Sequence, residues 1–322
     1  MLVLPKLSSS VLRELKKGKN LLAFSAGSDS SALFFILKTL HVEFDIALVN
    51  YQTREQSNEE EEYAKVLAKK FGKQCYIFTC KLESSNFEHN ARLKRYSFFE
   101  QIIADNHYDN LMTAHHLNDR FEWFLMQLSR GAGAVELSGM NEIEDNENYK
   151  TIRPLLGISK KEISEFLHVN KIKHFLDSSN RDKKHLRNLM REEFSNAFCE
   201  QFSDGIKKSF DYLEEDKKRL LPKVISQSQK LYILQRNDDD LINIRGIDKI
   251  VKKLGVLLSK DSRDEVIRTK DCVISSKVAV SFSQDKIYIC PFVDVVMDKK
   301  FKEKCRVEKI PAKIRPYLYT IS

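Results

Sequence analysis

The sequence predicts an α/β protein: a doubly wound parallel sheet, then a helical linker, then a small α+β C-terminal domain. Three observations carry this. Through the first half, short apolar runs bounded by turn residues alternate with helical patterns, as buried parallel strands joined by crossover helices do. From about Lys184 to Leu220 the alternation gives way to a long charged helical stretch, broken by Pro222. Beyond it, short apolar segments flank Ser283-Gln284-Asp285, a hairpin-turn signal. The boundaries expected are 1–198, 199–228 for the linker, and 229–322.

The elements follow in order. Residues 21–25 read as the first strand, and a helix is expected from Ser31 to Leu40. Residues 44–50 are the second strand. Ser57, with Glu60 three residues on, has the capping-box spacing, so a helix is expected from Ser57 to Phe71. Its acidic run Glu59 to Glu62 reads as a solvated first turn favoured by the helix dipole. Residues 74–80 are a strand, 88–106 a helix, 110–114 a strand and 118–129 a helix with Asn118 as a candidate cap. Residues 141–148 are acidic and polar, a surface loop, and 151–156 are extended around Pro154. Ser159 and Glu162 repeat the capping-box pattern before a helix ending at Asn170. In the last hundred residues, 273–275, 278–282 and 286–289 read as strands and 247–258 as an amphipathic helix. Doubly wound sheets bind ligands beyond the carboxyl ends of their strands. Residues 25–30, 50–51 and 114–116 all fall there.

At 322 residues the chain can hold a sizeable core and two domains. A formal net charge of +8 suits a polyanionic partner without proving one. No apolar run approaches the roughly 18 residues of a membrane span, and residues 1–20 lack a signal-peptide core, so a cytoplasmic protein is expected. The six cysteines, at 75, 80, 199, 272, 290 and 305, include no C-x-x-C pair. That weighs against zinc ribbons, iron–sulfur clusters and a disulfide framework, leaving buried thiols as the expectation.

The most informative segment is Ser25-Ala26-Gly27-Ser28-Asp29-Ser30, between the first strand and helix. Unpaired N–H groups and the positive dipole end favour an anion there, small side chains admit a phosphate, and hydroxyls add donors. A carboxylate in such a cradle makes sense if a divalent cation lies between it and the phosphate; otherwise Asp29 is a cap in a serine-rich turn. The Gly-Lys-Ser/Thr ending of ordinary phosphate loops is absent.

A second cluster, Thr113 to Glu122, ends a strand in His115-His116 and opens a helix at Asp119. Asp119 could bind a cation or hold a substrate ammonium, and either histidine could touch a phosphate. Neighbouring histidines at a strand end point apart, which disfavours a zinc site. On the 88–106 helix, Arg92 and Arg95 share a face suited to phosphate oxygens, or form a solvated basic face. Glycines gather in residues 128–140, and further segments are Arg153-Pro154-Leu155-Leu156, Asp177 to Asn180 and Arg187 to Arg191.

Taken together, the segments 25–30, 49–51 with Arg54, 91–96, 113–122, 128–140, 153–156, 177–180 and 187–191 resemble, in order, the motifs of the tRNA(Ile)-lysidine synthetases. These ligases are a branch of the PP-loop ATP pyrophosphatases, whose fold is adenine nucleotide α-hydrolase-like. The resemblance spans about residues 20–195. It implies ATP-dependent ligation of free L-lysine to C2 of the wobble cytidine in the CAU anticodon of tRNA(Ile), through an adenylated base, releasing pyrophosphate and AMP. It implies ATP binding by Ser25, Ala26, Gly27, Ser28, Asp29 and Ser30, Mg²⁺ at Asp29, and catalytic roles for Asp29, Asp119, Arg92 and Arg95. Candidate substrate or phosphate contacts are Asn50, His115, Arg130 and Arg153. Candidate tRNA-backbone contacts are Lys183, Lys184, Arg187 and Arg191, and the C-terminal domain is expected to touch tRNA. Oligomeric state, monomer or dimer, stays open.

Several positions depart from the pattern. Ala26 stands for a Gly, which fits if its φ is negative. Tyr51 stands for His, Asn118 for the first Asp of a pair, and Arg120 and Trp123 for Gln and Thr. Rival readings are a tRNA sulfur transferase, which would want a reactive cysteine or C-x-x-C pair, a small-molecule amidating synthetase, and a non-catalytic RNA-binding protein on the same scaffold.

Overall fold

The computed structural model describes residues 4–54, 56–81, 87–176 and 186–322. The chain forms two compact units, Met1–Tyr212 and Leu213–Ser322.

The first unit holds strands β1 (Asn20–Ala23), β2 (Asp45–Asn50), β3 (Cys75–Thr79), β4 (Asn110–Met112), β5 (Ile143–Asp145) and β6 (Lys150–Ile152), in the order β3-β2-β1-β4-β6-β5. All neighbours pair in parallel except β5, which runs antiparallel to β6. The expected doubly wound parallel sheet is present with one antiparallel strand added at its edge, so the segment 141–148, expected as a surface loop, is not simply a loop. As an edge strand β5 has little to bury, so its residues read as polar.

Helices α1 (Ser9–Lys17), α2 (Ser28–Thr39), α3 (Gln56–Phe71), α4 (Phe87–Asn106), α5 (Leu117–Leu128), the short α6 (Ala134–Leu137) and α7 (Lys160–Val169) complete the wound region. Strand side chains alternate between faces, and β1 shows the result. Leu22 belongs to a core with Val11, Leu33, Ile36, Leu67 and Phe166 from α1, α2, α3 and α7. Leu21 belongs to a second core with Phe99, Ile102 and Ile103 of α4. Each such side chain contributes about 1.5–3 kcal/mol when fully buried, so the two cores fix the register of β1 against a one-residue slip. Strand order reverses between β1 and β4, and the crevice beyond their carboxyl ends is where this architecture places a ligand.

Local starts differ from the sequence reading in instructive ways. Helix α2 begins at Ser28 with Gly27 as its cap, three residues before the expected Ser31, so Ser28, Asp29 and Ser30 form its first turn. Helix α3 begins at Gln56, and Ser57 is buried within it rather than capping it. Glu60 and Glu61 are likewise not merely solvated: Glu60 binds Arg54 at 2.8 Å, and Glu61 accepts from Asn50 Nδ2 at 2.8 Å. The cap of α5 is His116, not Asn118. Ser159 does cap α7: its N–H donates to Glu162 Oε2 at 2.8 Å, and its Oγ accepts from the Glu162 N–H at 3.3 Å. The charged stretch expected from Lys184 is α8 (Leu186–Met190), a π-helical turn at Arg191–Ser195, and α9 (Asn196–Arg219), which kinks at Phe202.

The second unit is an antiparallel sheet in the order β7-β8-β11-β10-β9, made of β7 (Val224–Ser228), β8 (Leu231–Gln235), β9 (Asp271–Ile274), β10 (Val278–Phe282) and β11 (Lys286–Pro291). The span 199–228 thus contains both most of α9 and the strand β7. Helices α10 (Asp240–Lys253) and α11 (Lys260–Thr269) supply Ile247, Val251 and Val266 to one face with Val278 and Val280. Ala279 turns to the other, with Ile314 and Tyr317 near α13 (Arg315–Ile321), which follows α12 (Lys299–Val307). The amphipathic helix expected at 247–258 starts earlier, at Asp240, where Asp239 Oδ1 accepts from the Leu241 N–H at 2.8 Å.

All six cysteines are free; Cys75 and Cys80 are only half-buried. Among the described residues, no helix is long and apolar enough to cross a membrane.

Candidate active site

Three helix N-termini, those of α2, α5 and α7, converge beyond β1 and β4. Helix α2 leaves the N–H groups of Ser28, Asp29 and Ser30 without a helical carbonyl to bind, because the ladder starts with Ser31 N–H to Gly27 O at 3.0 Å. The loop before it is locked from within: Ser25 N–H and Oγ meet Ser30 Oγ at 3.2 and 3.1 Å, and Phe175 N–H binds Ala26 O at 3.0 Å. Ser25 and Ser30 therefore shape the cradle, while the amides of its first turn remain for an anion.

Ala26 does not meet the condition set for it. Its φ is +58°, the left-handed region, and its side chain is wholly buried. That conformation costs a non-glycine residue about 1–2 kcal/mol. Ala26→Gly would relieve this but release more unfolded-state entropy, about 0.5–1 kcal/mol, and expose less methyl to burial, about 0.8 kcal/mol. The effects oppose each other, so urea unfolding of the Ala26→Gly variant should show stability within about 1 kcal/mol of the parent. A loss above about 2 kcal/mol, as for an ordinary buried Ala→Gly, would show that the positive φ carries no strain.

Asp29 points into a cavity of about 450 Å³ that is also lined by His116, Asp119, Lys160, Arg191 and Glu200. Its Oδ1 pairs with Lys160 Nζ, and its Oδ2 lies 3.7 Å from His116 Nε2. The same imidazole nitrogen is 3.4 Å from Asp119 Oδ2, so His116 bridges the two carboxylates. Its Nδ1 is buried without a partner among the described residues. His115, the histidine chosen from sequence, instead meets Thr113 Oγ1 at 2.9 Å, and burial holds its imidazole down at about 4, neutral at pH 7. The histidines point apart as expected, but the one facing both carboxylates is His116.

Asp119 accepts from the His116 N–H at 3.0 Å. Burial works to raise its carboxyl, yet the two imidazoles, that amide and Arg191 outweigh it and hold the group below the ordinary carboxylate value. Beyond it Glu122, 2% exposed, is clasped by Arg187 Nε and, at 2.9 Å, by Arg191 Nε. Arg187 and Arg191 also approach Asp119 at 3.8 and 3.6 Å. Both arginines, expected as tRNA-backbone contacts, are thus tied to Glu122, and Arg191 also lines the cavity. Lys183, Lys184 and Asp177 to Asn180 lie outside the described residues.

Other candidates sit elsewhere. Asn50 is buried, donating to Glu61 and accepting from the Gln52 N–H at 2.9 Å, so its side chain is spent on the fold. Arg153 binds Asn141 O and Glu144 Oε2, both at 2.9 Å. Arg92 lies over the Tyr96 ring at 4.8 Å; Arg92, Arg95 and Arg130 are exposed and do not line the cavity. Tyr51 donates to Ala91 O at 2.8 Å. Arg120 reaches Ser138 O at 3.2 Å, at the end of the glycine-rich segment. There Gly139 has φ +67°, and an added Cβ would sit 3.0 Å from Trp123 Cδ1.

Sequence reasoning missed two groups. Lys160 looked like the first residue of a capped helix, and Glu122 like a polar position in a longer motif. Both acquire meaning only when α5, α7 and α8 meet. Asn118 is explained by the same meeting: its Oδ1 accepts from the Lys160 N–H at 3.0 Å while its Nδ2 donates to Asn196 Oδ1 at 3.4 Å. A carboxylate could not make the second bond.

The arrangement fits a magnesium nucleotide. Among the described residues no group of three or more His, Cys, Asp or Glu side chains could hold a metal by themselves. Magnesium is commonly held by one or two carboxylates together with substrate phosphates. Asp29, beside an anion-binding helix end, offers that kind of partial site.

Comparison with known proteins places the fold and the family of the chain. A PP-loop domain family matches residues 5–198. A tRNA(Ile)-lysidine synthase from Campylobacter jejuni is 47% identical over 316 residues, covering 98% of this chain and 96% of that protein. One from Wolinella succinogenes is 42% identical over 309 residues, covering 95% and 94%. Among solved structures, a U34-tRNA thiolase from Methanococcus maripaludis superposes with a TM-score of 0.52 at 16% identity, over 66% of this chain and 81% of that one, a likeness of fold.

Proposed function

Because the chain belongs to the tRNA(Ile)-lysidine synthase family of PP-loop enzymes, we propose that it joins free lysine to C2 of the wobble cytidine in the CAU anticodon of tRNA(Ile), using ATP. The observation that carries this reading is the facing of Asp29 and Asp119 across one cavity, bridged by His116. One carboxylate stands at an anion-binding helix end and the other among groups that keep it ionised.

The ATP phosphates lie against the N–H groups of Ser28, Asp29 and Ser30, with the α2 dipole behind them. Asp29 would hold Mg²⁺, which when bound supplies positive charge to the phosphates and the departing pyrophosphate. The cytidine, turned out of the anticodon stack, presents its C2 carbonyl oxygen in line with the α-phosphorus. The new P–O bond forms as the bond to the β-phosphate oxygen breaks, giving the adenylated base. The lysine ε-amine, delivered to the ionised Asp119 as ammonium, gives up a proton to water and attacks C2. The C–N bond forms, the C–O bond to AMP breaks, and AMP leaves. Exposed Arg92 and Arg95 remain proposals for more distant phosphate contacts, and residues of the second unit for the body of the tRNA.

Sulfur transfer is the less suited rival. Cys199 is the one cysteine in the cavity wall, and burial pushes its thiol up to about 11, away from the thiolate such chemistry needs.

The test is incorporation of labelled lysine into tRNA(Ile) bearing CAU, with and without ATP. ATP-dependent incorporation with one AMP per lysine is expected. Folded protein that incorporates none would overturn the reading.

A further inference from the structure

We propose that Lys160 is a second cation of the nucleotide site: it occupies the carboxylate of Asp29 while no nucleotide is bound, and moves to the ATP phosphates when the metal takes Asp29. This rests on the nucleotide reading above and adds a residue to it.

Four observations converge on Lys160. Its Nζ pairs with Asp29 Oδ1 and donates to Ser28 Oγ at 2.8 Å, so the ammonium lies over the first turn of α2, where the anion is expected. Its own backbone is fixed, because its N–H binds Asn118 Oδ1 at 3.0 Å directly after the Ser159 cap of α7. Its side chain is not packed away, with 37% of its surface exposed, and the residue lines the 450 Å³ cavity. Finally, the positive end of α7 faces the cavity too, since Ser159 lines it.

A fixed backbone with a free stem suits a cation that changes partner over a few ångströms. An ammonium and a divalent ion cannot share one carboxylate oxygen closely, since like charges at that distance repel in a half-buried cavity. Metal binding at Asp29 Oδ1 therefore displaces Lys160. The phosphates supply the nearest compensating negative charge, next to the Ser28 hydroxyl that Lys160 already reaches. Lysine serves phosphate as a movable point charge, unlike the planar fork of arginine. The ammonium thus holds the empty cradle in shape, then neutralises charge on the triphosphate. Its competition with the metal couples the binding of the two: Mg²⁺ gains little affinity for Asp29 until a phosphate is there to receive the ammonium.

Calorimetric titration of the full chain with a non-hydrolysable ATP analogue, with Mg²⁺ and in EDTA, and with Mg²⁺ alone, tests this. Lys160→Met keeps the stem and removes the charge; Lys160→Arg keeps the charge. Expected for Lys160→Met is at least a tenfold loss of analogue affinity in Mg²⁺ together with a tighter response to Mg²⁺ alone, while Lys160→Arg recovers much of the analogue affinity. If Lys160 only staples α7 to α2, Lys160→Met will lower the melting temperature and bind the Mg²⁺ analogue as the parent does, which overturns the proposal. Weaker Mg²⁺ binding by Lys160→Met in the absence of analogue overturns it as well. A parent chain that binds no analogue under any condition would instead bring down the nucleotide reading itself.

Discussion

Asp29→Ala is expected to lower AMP and pyrophosphate formation by about a hundredfold to a thousandfold while leaving the fold almost untouched. The kinetic estimate follows from what is lost, a fixed charge at the point where charge develops on a transferring phosphoryl group, an interaction commonly worth about 3–4 kcal/mol in the transition state. The stability estimate follows from exposure. The Asp29 and Lys160 side chains are 31% and 37% exposed, so solvent screens their pairing and its loss costs about 0–1 kcal/mol. The core beneath, with Leu33, Phe34 and Ile36 fully buried, is unaffected. Pyrophosphate release and urea unfolding on the same preparation separate the two effects. A rate within tenfold of the parent would remove Asp29 from the chemistry, whereas a matching collapse of stability would make it a structural cap. Asp29→Asn sharpens the test: it preserves shape and hydrogen bonding to Lys160 but not the negative charge, so it should be nearly as slow as the alanine variant.

What could be read in the sequence was what is decided locally. The Ser25–Ser30 segment announced a strand, a tight loop and a helix start because those features are contiguous in sequence. Ser159 and Glu162 announced a cap because a capping box is closed by residues three apart. The same signature misled at Ser57, where the chain enters its helix one residue earlier and the serine is buried by the fold around it. Strand β7 gave no signal because all five of its residues are exposed, so no alternation of apolar side chains was required of it. The choice between His115 and His116 depended on which way the chain leaves β4, and neighbouring identical residues carry no such information. Lys160 was invisible for a stronger reason. Its partner Asp29 lies 131 residues away, and only the packing of α7 beside α2 brings them together. Sequence thus marked the contiguous segments of the candidate site along the chain, while the charges that complete its geometry came from elements whose approach is set by the two cores.

Glu122→Ala should be the most destabilising single change in the site, by about 2–3 kcal/mol, and should also abolish lysidine formation. Glu122 is a buried carboxylate with 2% exposure, held by two guanidiniums whose side chains are 50% and 24% exposed. Removing one partner of a fully buried ion pair commonly costs about 3–5 kcal/mol, because the other charge is stranded. Here both arginines reach solvent, so part of that penalty is recovered and the lower figure follows. The functional loss has a different origin. Arg187 and Arg191 are anchored by their Nε atoms on Glu122 and thereby held 3.8 and 3.6 Å from Asp119. Without the anchor both are drawn towards Asp119 alone, which then carries two cations and has less capacity for a substrate ammonium. Glu122→Gln distinguishes the two effects: it retains the volume and one acceptor, so stability should fall by only about 1–2 kcal/mol, yet the arginines are released and lysine transfer should still fail. A double-mutant cycle of Glu122→Gln with Arg191→Gln supplies the decisive number. A coupling above about 1 kcal/mol in stability, with adenylation largely preserved and lysine transfer lost, is the expected result. Additive effects, or loss of adenylation before lysine transfer, would place this cluster with the nucleotide rather than with the acceptor.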